Sequence, residues 1–121
     1  EISRKFDSIV DFAGLREFVD TKLYQFSNGM LAKLVFSIAV HCNPDILLLD
    51  EIFAVGDMNF REKGINKIHE LAKKGTSIVI VSHDMELIRK YCSRVLLIAD
   101  GKVAIEGKPN EVIDKYQKKS F

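Results

Sequence analysis

The chain has 121 residues, 47% apolar and 29% charged, a globular composition that excludes the disordered and fibrous classes. One core is expected at this length rather than two, burying roughly two-thirds of the unfolded surface. Eighteen Lys plus Arg against seventeen Asp plus Glu leave a net charge of +1, so electrostatics give no case for nucleic acid or an anionic membrane as the main partner.

Phe6, Ile9, Val10 and Ala13 recur at helical spacing and predict a helix ending near Gly14. Leu31, Leu34, Val35, Ile38 and Ala39 predict a second helix, which Asn43-Pro44 stops because the residue before proline disfavours helical backbone. Residues 46–49 form an unbroken apolar run, the pattern of a strand buried on both faces. After Asp57 a third helix carries Phe60, Ile65, Ile68, Leu71 and Ala72 and ends at Gly75. Residues 77–81 read as a second buried strand, and a helix follows from about 84 to 92. Residues 94–99 and 102–106 flank Asp100-Gly101, a strong two-residue hairpin signal. Pro109 opens a last helix through Ile113 and Tyr116, leaving Lys115, Lys118 and Lys119 in a solvated, fraying end. Alternating strands and helices predict an α/β fold with a partly parallel sheet.

The longest apolar stretches fall far short of the roughly 20 residues that span a bilayer. No signal-peptide pattern occurs at the N-terminus. Cys42 and Cys92 lie fifty positions apart without CxxC spacing and are expected to be reduced, buried thiols of a cytosolic protein. The first residue is Glu1 rather than Met, and the chain is expected to be a piece of something longer.

Three short patterns carry chemistry. In Ile46-Leu47-Leu48-Leu49-Asp50-Glu51, four apolar residues bury a strand and two carboxylates emerge at its C-terminal end, where open α/β sheets bind ligands. Asp50 is suited to a Mg²⁺ ion, a hard cation that takes oxygen ligands, and Glu51 to orienting or deprotonating a water aimed at a phosphoryl group. The same pattern, alone, also fits two exposed acids after a core strand. In Phe26-Ser27-Asn28-Gly29-Met30, Ser27 or Asn28 caps the next helix and Gly29 lets backbone approach a ligand, which makes an anion site or an ordinary helix start. In Val79-Ile80-Val81-Ser82-His83-Asp84 a strand ends in a histidine, which would lie beside Asp50 and Glu51 if the two strands are parallel neighbours. His41 and His69 sit on predicted helices without partners at ligand spacing.

In order and spacing, Phe26-Ser27-Asn28-Gly29-Met30, Ile46-Leu47-Leu48-Leu49-Asp50-Glu51, Ala54-Val55-Gly56-Asp57 and Ser82-His83-Asp84 resemble the C-terminal half of an ABC-transporter ATPase domain. The resemblance runs through essentially the whole chain. It implies a partial P-loop NTPase fold, with residues 1 to about 42 as helical subdomain and signature and about 43–121 as a portion of the catalytic core. It makes residues 26–30 the signature usually written LSGGQ, Asp50 the Walker B metal ligand, Glu51 the catalytic glutamate, Asp57 the end of the D-loop and His83 the switch histidine. Phe26, Asn28 and Met30 depart from LSGGQ, and Asn28 in place of Gly leaves the loop less permissive, although Asn tolerates left-handed backbone. These departures, with Asp50-Glu51-Ile52-Phe53-Ala54-Val55-Gly56-Asp57, are similar to exporters of polysaccharide, O-antigen and teichoic acid.

No GxxxxGK[ST] occurs, so nothing in the chain cradles β and γ phosphates, and the isolated chain is expected to hydrolyse ATP poorly or not at all. By the resemblance ATP and Mg²⁺ are the ligands, and Ser27, Asn28, Gly29 and Met30 face nucleotide bound to a second, identical ATPase subunit. Asp50, Glu51 and His83 serve the chain's own site, and Asp57 lies at the dimer contact. A transmembrane subunit is the further partner, with the ATPase cytoplasmic and peripheral on the inner face of the membrane. A sheet without its N-terminal strands predicts self-association. Two other readings compete. An SMC-type DNA-maintenance ATPase lobe needs sustained heptads before the signature, which are missing here. A non-catalytic half-domain acting as an interaction module fits the missing phosphate loop but not the retention of Asp50, Glu51 and His83. The exported glycan is not encoded in these residues.

Overall fold

A computed structural model describes residues 2–51 and 56–121. Residues up to Val81 form one compact unit and Ser82–Phe121 a second.

The first unit opens with α1 (Ile2–Ala13), passes two short 3-10 turns at Arg16–Phe18 and Leu23–Gln25, and enters α2 (Asn28–His41). Strand β1 (Ile46–Asp50), helix α3 (Met58–Lys73) and strand β2 (Ser77–Val81) complete it. The two strands pair in parallel, Ile46 opposite Ser77 through Asp50 opposite Val81, as a strand-helix-strand crossover requires. Leu47 and Leu49 point into a core with Phe36 and Val40 of α2 and Ile68 and Leu71 of α3, with Ile78 and Ile80 packed against it. Phe12, Phe36 and Phe60, one ring from each helix, fill the space between helices: Phe60 meets the other two edge-on at 5.8 and 5.7 Å between centroids.

The alternation on β1 corrects the expectation of a strand buried on both faces. Its other face is open, with Ile46 63% and Leu48 71% exposed, and Val79 and Val81 of β2 continue it at 52% and 54%. All three helices of this unit pack on the Leu47 side, so among its described residues no helix of the unit covers the opposite side.

The second unit holds α4 (Met85–Tyr91), the antiparallel pair β3 (Val95–Ala99) and β4 (Lys102–Gly107), and α5 (Pro109–Gln117). Asp100 and Gly101 both take positive φ, 51° and 73°, the mirror-image turn that matches strand twist and that glycine enters without strain. A bulge between Leu97 and Ile98 shifts the register from Ile98 opposite Val103 to Leu97 opposite Ile105. Leu87, Ile88, Val112 and Ile113 are its buried residues, and Arg89 of α4 donates to Asn110 Oδ1 and Asp114 Oδ1 of α5, both at 2.8 Å. Lys115, Lys118 and Lys119 are exposed as expected, and a backbone cap closes the helix end. Lys119 takes φ 51° and the Ser120 N–H reaches back to the Lys115 carbonyl at 2.9 Å, a closed C-terminal cap.

The thiols also differ from expectation. Both cysteines are free, but Cys42 is exposed just past the end of α2, and Cys92 is half-buried, which pushes its thiol pKa up by desolvation.

Candidate functional site

Ser27 is the residue that caps α2. Its extended backbone lets Oγ accept from the Met30 N–H at 3.1 Å, satisfying one of the helix's orphan donors. Asn28 and Gly29 lie in the first helical turn, and neither uses left-handed backbone, so the tolerance anticipated for Asn28 plays no part. A Cβ at Gly29 would meet only Ser27 Oγ, at 3.9 Å, an ordinary contact, so the space beside this residue is open. A helix N-terminus carries partial positive charge and suits an anion.

Asp50 closes β1 on its exposed face. The chain then turns sharply. Glu51 adopts φ 54°, a left-handed conformation unusual for a residue with a side chain, while its N–H still extends the parallel ladder to the Val81 carbonyl at 2.9 Å. Strain of this kind concentrates at functional sites. Among the described residues no group of three His, Cys, Asp or Glu forms a protein-only metal cage. A Mg²⁺ ion completed by phosphate oxygens needs only one or two carboxylates, and exposed Asp50 at the strand end fits that need.

Ala54 and Val55 of the D-loop pattern lie outside the described residues. Asp57, its last member, caps α3: Oδ1 accepts from the Phe60 N–H at 2.8 Å. Oδ2 faces Lys33 Nζ of α2 at 3.8 Å. Sequence reasoning misses Lys33, since nothing local marks which of many surface lysines crosses to another helix. Its ammonium also lies 5.6 Å from the Phe60 ring centroid.

His83 is exposed on the turn between β2 and α4, in the second unit. The turn is shaped by its neighbours: Asp84 Oδ1 caps α4 through the Leu87 N–H at 3.0 Å, and the Asp84 N–H donates to Ser82 Oγ at 3.0 Å. His41, given no ligand role by its spacing, donates through Nδ1 to the Ser37 carbonyl at 2.7 Å and meets the Phe12 ring edge-on. The structure thus joins the second turn of α2 to the N-cap of α3 through Lys33 and Asp57, and it sets Asp50 and Glu51 together beside the end of β2.

A parallel β1/β2 pair with acids at its C-terminal end and a capped helix before it is the α/β fold of about half an ABC ATPase domain. Among solved structures, an ATP-binding subunit of an ABC transporter superposes with a TM-score of 0.84 over 98% of this chain and 50% of its own, at 19% identity. A dimeric ATP-binding cassette in a post-hydrolysis state with ADP and Pi matches 88% of this chain and 46% of its own, with a TM-score of 0.74 and 26% identity.

In sequence the chain is similar to ATP-binding proteins of teichoic acid and O-antigen export. The teichoic acids export ATP-binding protein of Lactococcus lactis is 45% identical over 118 residues, 98% of this chain. The O-antigen export system ATP-binding protein of Klebsiella pneumoniae is 39% identical over 117 residues, 97% of this chain. The chain spans 25% of the first and 48% of the second. No protein-family model matches it.

Proposed function

We propose that this chain is the signature-to-switch portion of an ATPase subunit that powers export of a polysaccharide or lipid-linked glycan. The observation that carries the catalytic reading is Glu51, a carboxylate residue on left-handed backbone directly beyond a core strand. The export reading draws support from the relatives, at 39–45% identity over nearly the whole chain.

In this reading Asp50 would hold Mg²⁺, whose positive charge would offset negative charge building up on the phosphate. Glu51 orients the attacking water and accepts its proton. His83 donates a hydrogen bond to a phosphate oxygen or to that water. Ser27, Asn28, Gly29 and Met30 present the N-terminus of α2 to nucleotide bound on a second copy, and Asp57 lies at the contact between copies. Closure of the pair drives a transmembrane subunit, with the ATPase on the cytoplasmic face. No helix among the described residues is long and apolar enough to cross a membrane. The chain by itself is proposed to turn over ATP poorly, because it carries no phosphate-cradling loop.

The test is Glu51→Gln in the full-length parent. ATP binding should persist while turnover falls at least about a hundredfold, the scale of a lost general base. Unchanged turnover would remove Glu51 from this role.

A further inference from the structure

We infer that Lys33 is a positioning residue that ties the anion-facing end of α2 to Asp57, resting on the ATPase reading above. Four observations converge on it. Its ammonium faces Asp57 Oδ2 at 3.8 Å while the other oxygen of that carboxylate holds the first turn of α3. The same ammonium lies over the Phe60 ring. Its side chain is only 25% exposed, so it is held rather than waving in solvent. Gly56, at φ 97°, leaves room for it: a Cβ there would come within 3.3 Å of Lys33 Cε and 3.0 Å of Phe60 Cδ1.

Position 33 sits four residues after Gly29 and three after Met30, so on a helix it shares their face. A lysine there links two pieces that the proposed reaction needs in register: the helix end that meets nucleotide and the carboxylate that follows the catalytic strand. An exposed ion pair contributes little to stability. Its value lies in limiting where Asp57 stands relative to residues 27–30.

The experiment compares Lys33→Met, Lys33→Arg, Asp57→Asn and the double variant K33M/D57N with two readouts. In the full chain, amide exchange at Phe60 should rise about threefold in K33M, the size of an exposed ion pair, and return to normal in K33R. D57N should give at least as large a rise, and the double variant should add nothing to it. In the full-length parent, K33M should lower kcat for ATP about fivefold with KM held within about twofold, and K33R should restore it. Unchanged exchange at Phe60, additive effects of K33M and D57N, or a change confined to KM would each overturn the tie. A wild-type parent that turns over no ATP while K33M still loosens Phe60 supports the tie and overturns the ATPase reading instead.

Discussion

The N–H of Glu51 donates to the carbonyl of Val81 at 2.9 Å, although Glu51 has already left extended backbone for φ 54°. The strand ladder therefore runs one residue past β1 and holds a side chain in a conformation that a free chain avoids. Left-handed backbone costs a non-glycine residue about 1–2 kcal/mol. Glycine at this position escapes that strain but loses roughly 0.5–1 kcal/mol through its larger unfolded-state entropy. Glu51→Gly should accordingly raise stability by about 0.5–1 kcal/mol in urea unfolding while abolishing turnover in the parent. Destabilisation would show that the strain is not there.

Gly64 of α3 faces the ring of Phe36, and a Cβ at 64 would stand 3.1 Å from Phe36 Cε1. Alanine in a helix interior is normally better than glycine by about 1 kcal/mol. Here the ring is buried and packed between Phe12 and Phe60, so it has little room to yield. Overpacking of that kind costs about 1–3 kcal/mol, which outweighs the helix gain. Gly64→Ala should lower the urea midpoint by the equivalent of about 1 kcal/mol. A raised midpoint would mean that the aromatic cluster is loose enough to shift.

The hydrogen bond from Arg89 holds the Asp114 carboxyl below the usual carboxylate range, against a smaller opposing effect of desolvation. A folded pKa below the unfolded one stabilises the fold fully above the unfolded value, about 4, and that contribution is lost as pH falls through the folded value. In Arg89→Met, an NMR titration should show Asp114 returning to the ordinary range, and unfolding between pH 4 and pH 2 should depend less steeply on pH. An unmoved Asp114 pKa would rule out Arg89 as the cause.

Ile46, Leu48, Val79 and Val81 present an apolar face on a parallel sheet, an arrangement normally covered on both sides. The chain should self-associate at micromolar concentration in light scattering, and Leu48→Lys with Val79→Lys should reduce the association. A compact, monodisperse wild-type monomer would refute this.

Features set by a few neighbouring residues are legible in the sequence alone. Helix periodicity, the Asn43-Pro44 stop, the Asp100-Gly101 hairpin, Pro109 at a helix start and the acids after 46–49 are all of this kind, and each element forms where its pattern lies. Sequence narrows the cap of α2 to Ser27 or Asn28, and backbone geometry decides for Ser27.

Other features depend on what packs where, which periodicity cannot report. A strand of four apolar residues reads as buried on both faces, yet all the helices of its unit lie on the Leu47 side and leave Leu48 exposed. Cys42 is exposed because α2 ends just before it. Lys33 looks like any surface lysine until α3 brings Asp57 within reach, and β2 holds the amide of Glu51 where that residue takes left-handed backbone. The residue types of the candidate site are written in the chain; their strain and their ties come from segments far apart in sequence that only packing brings together.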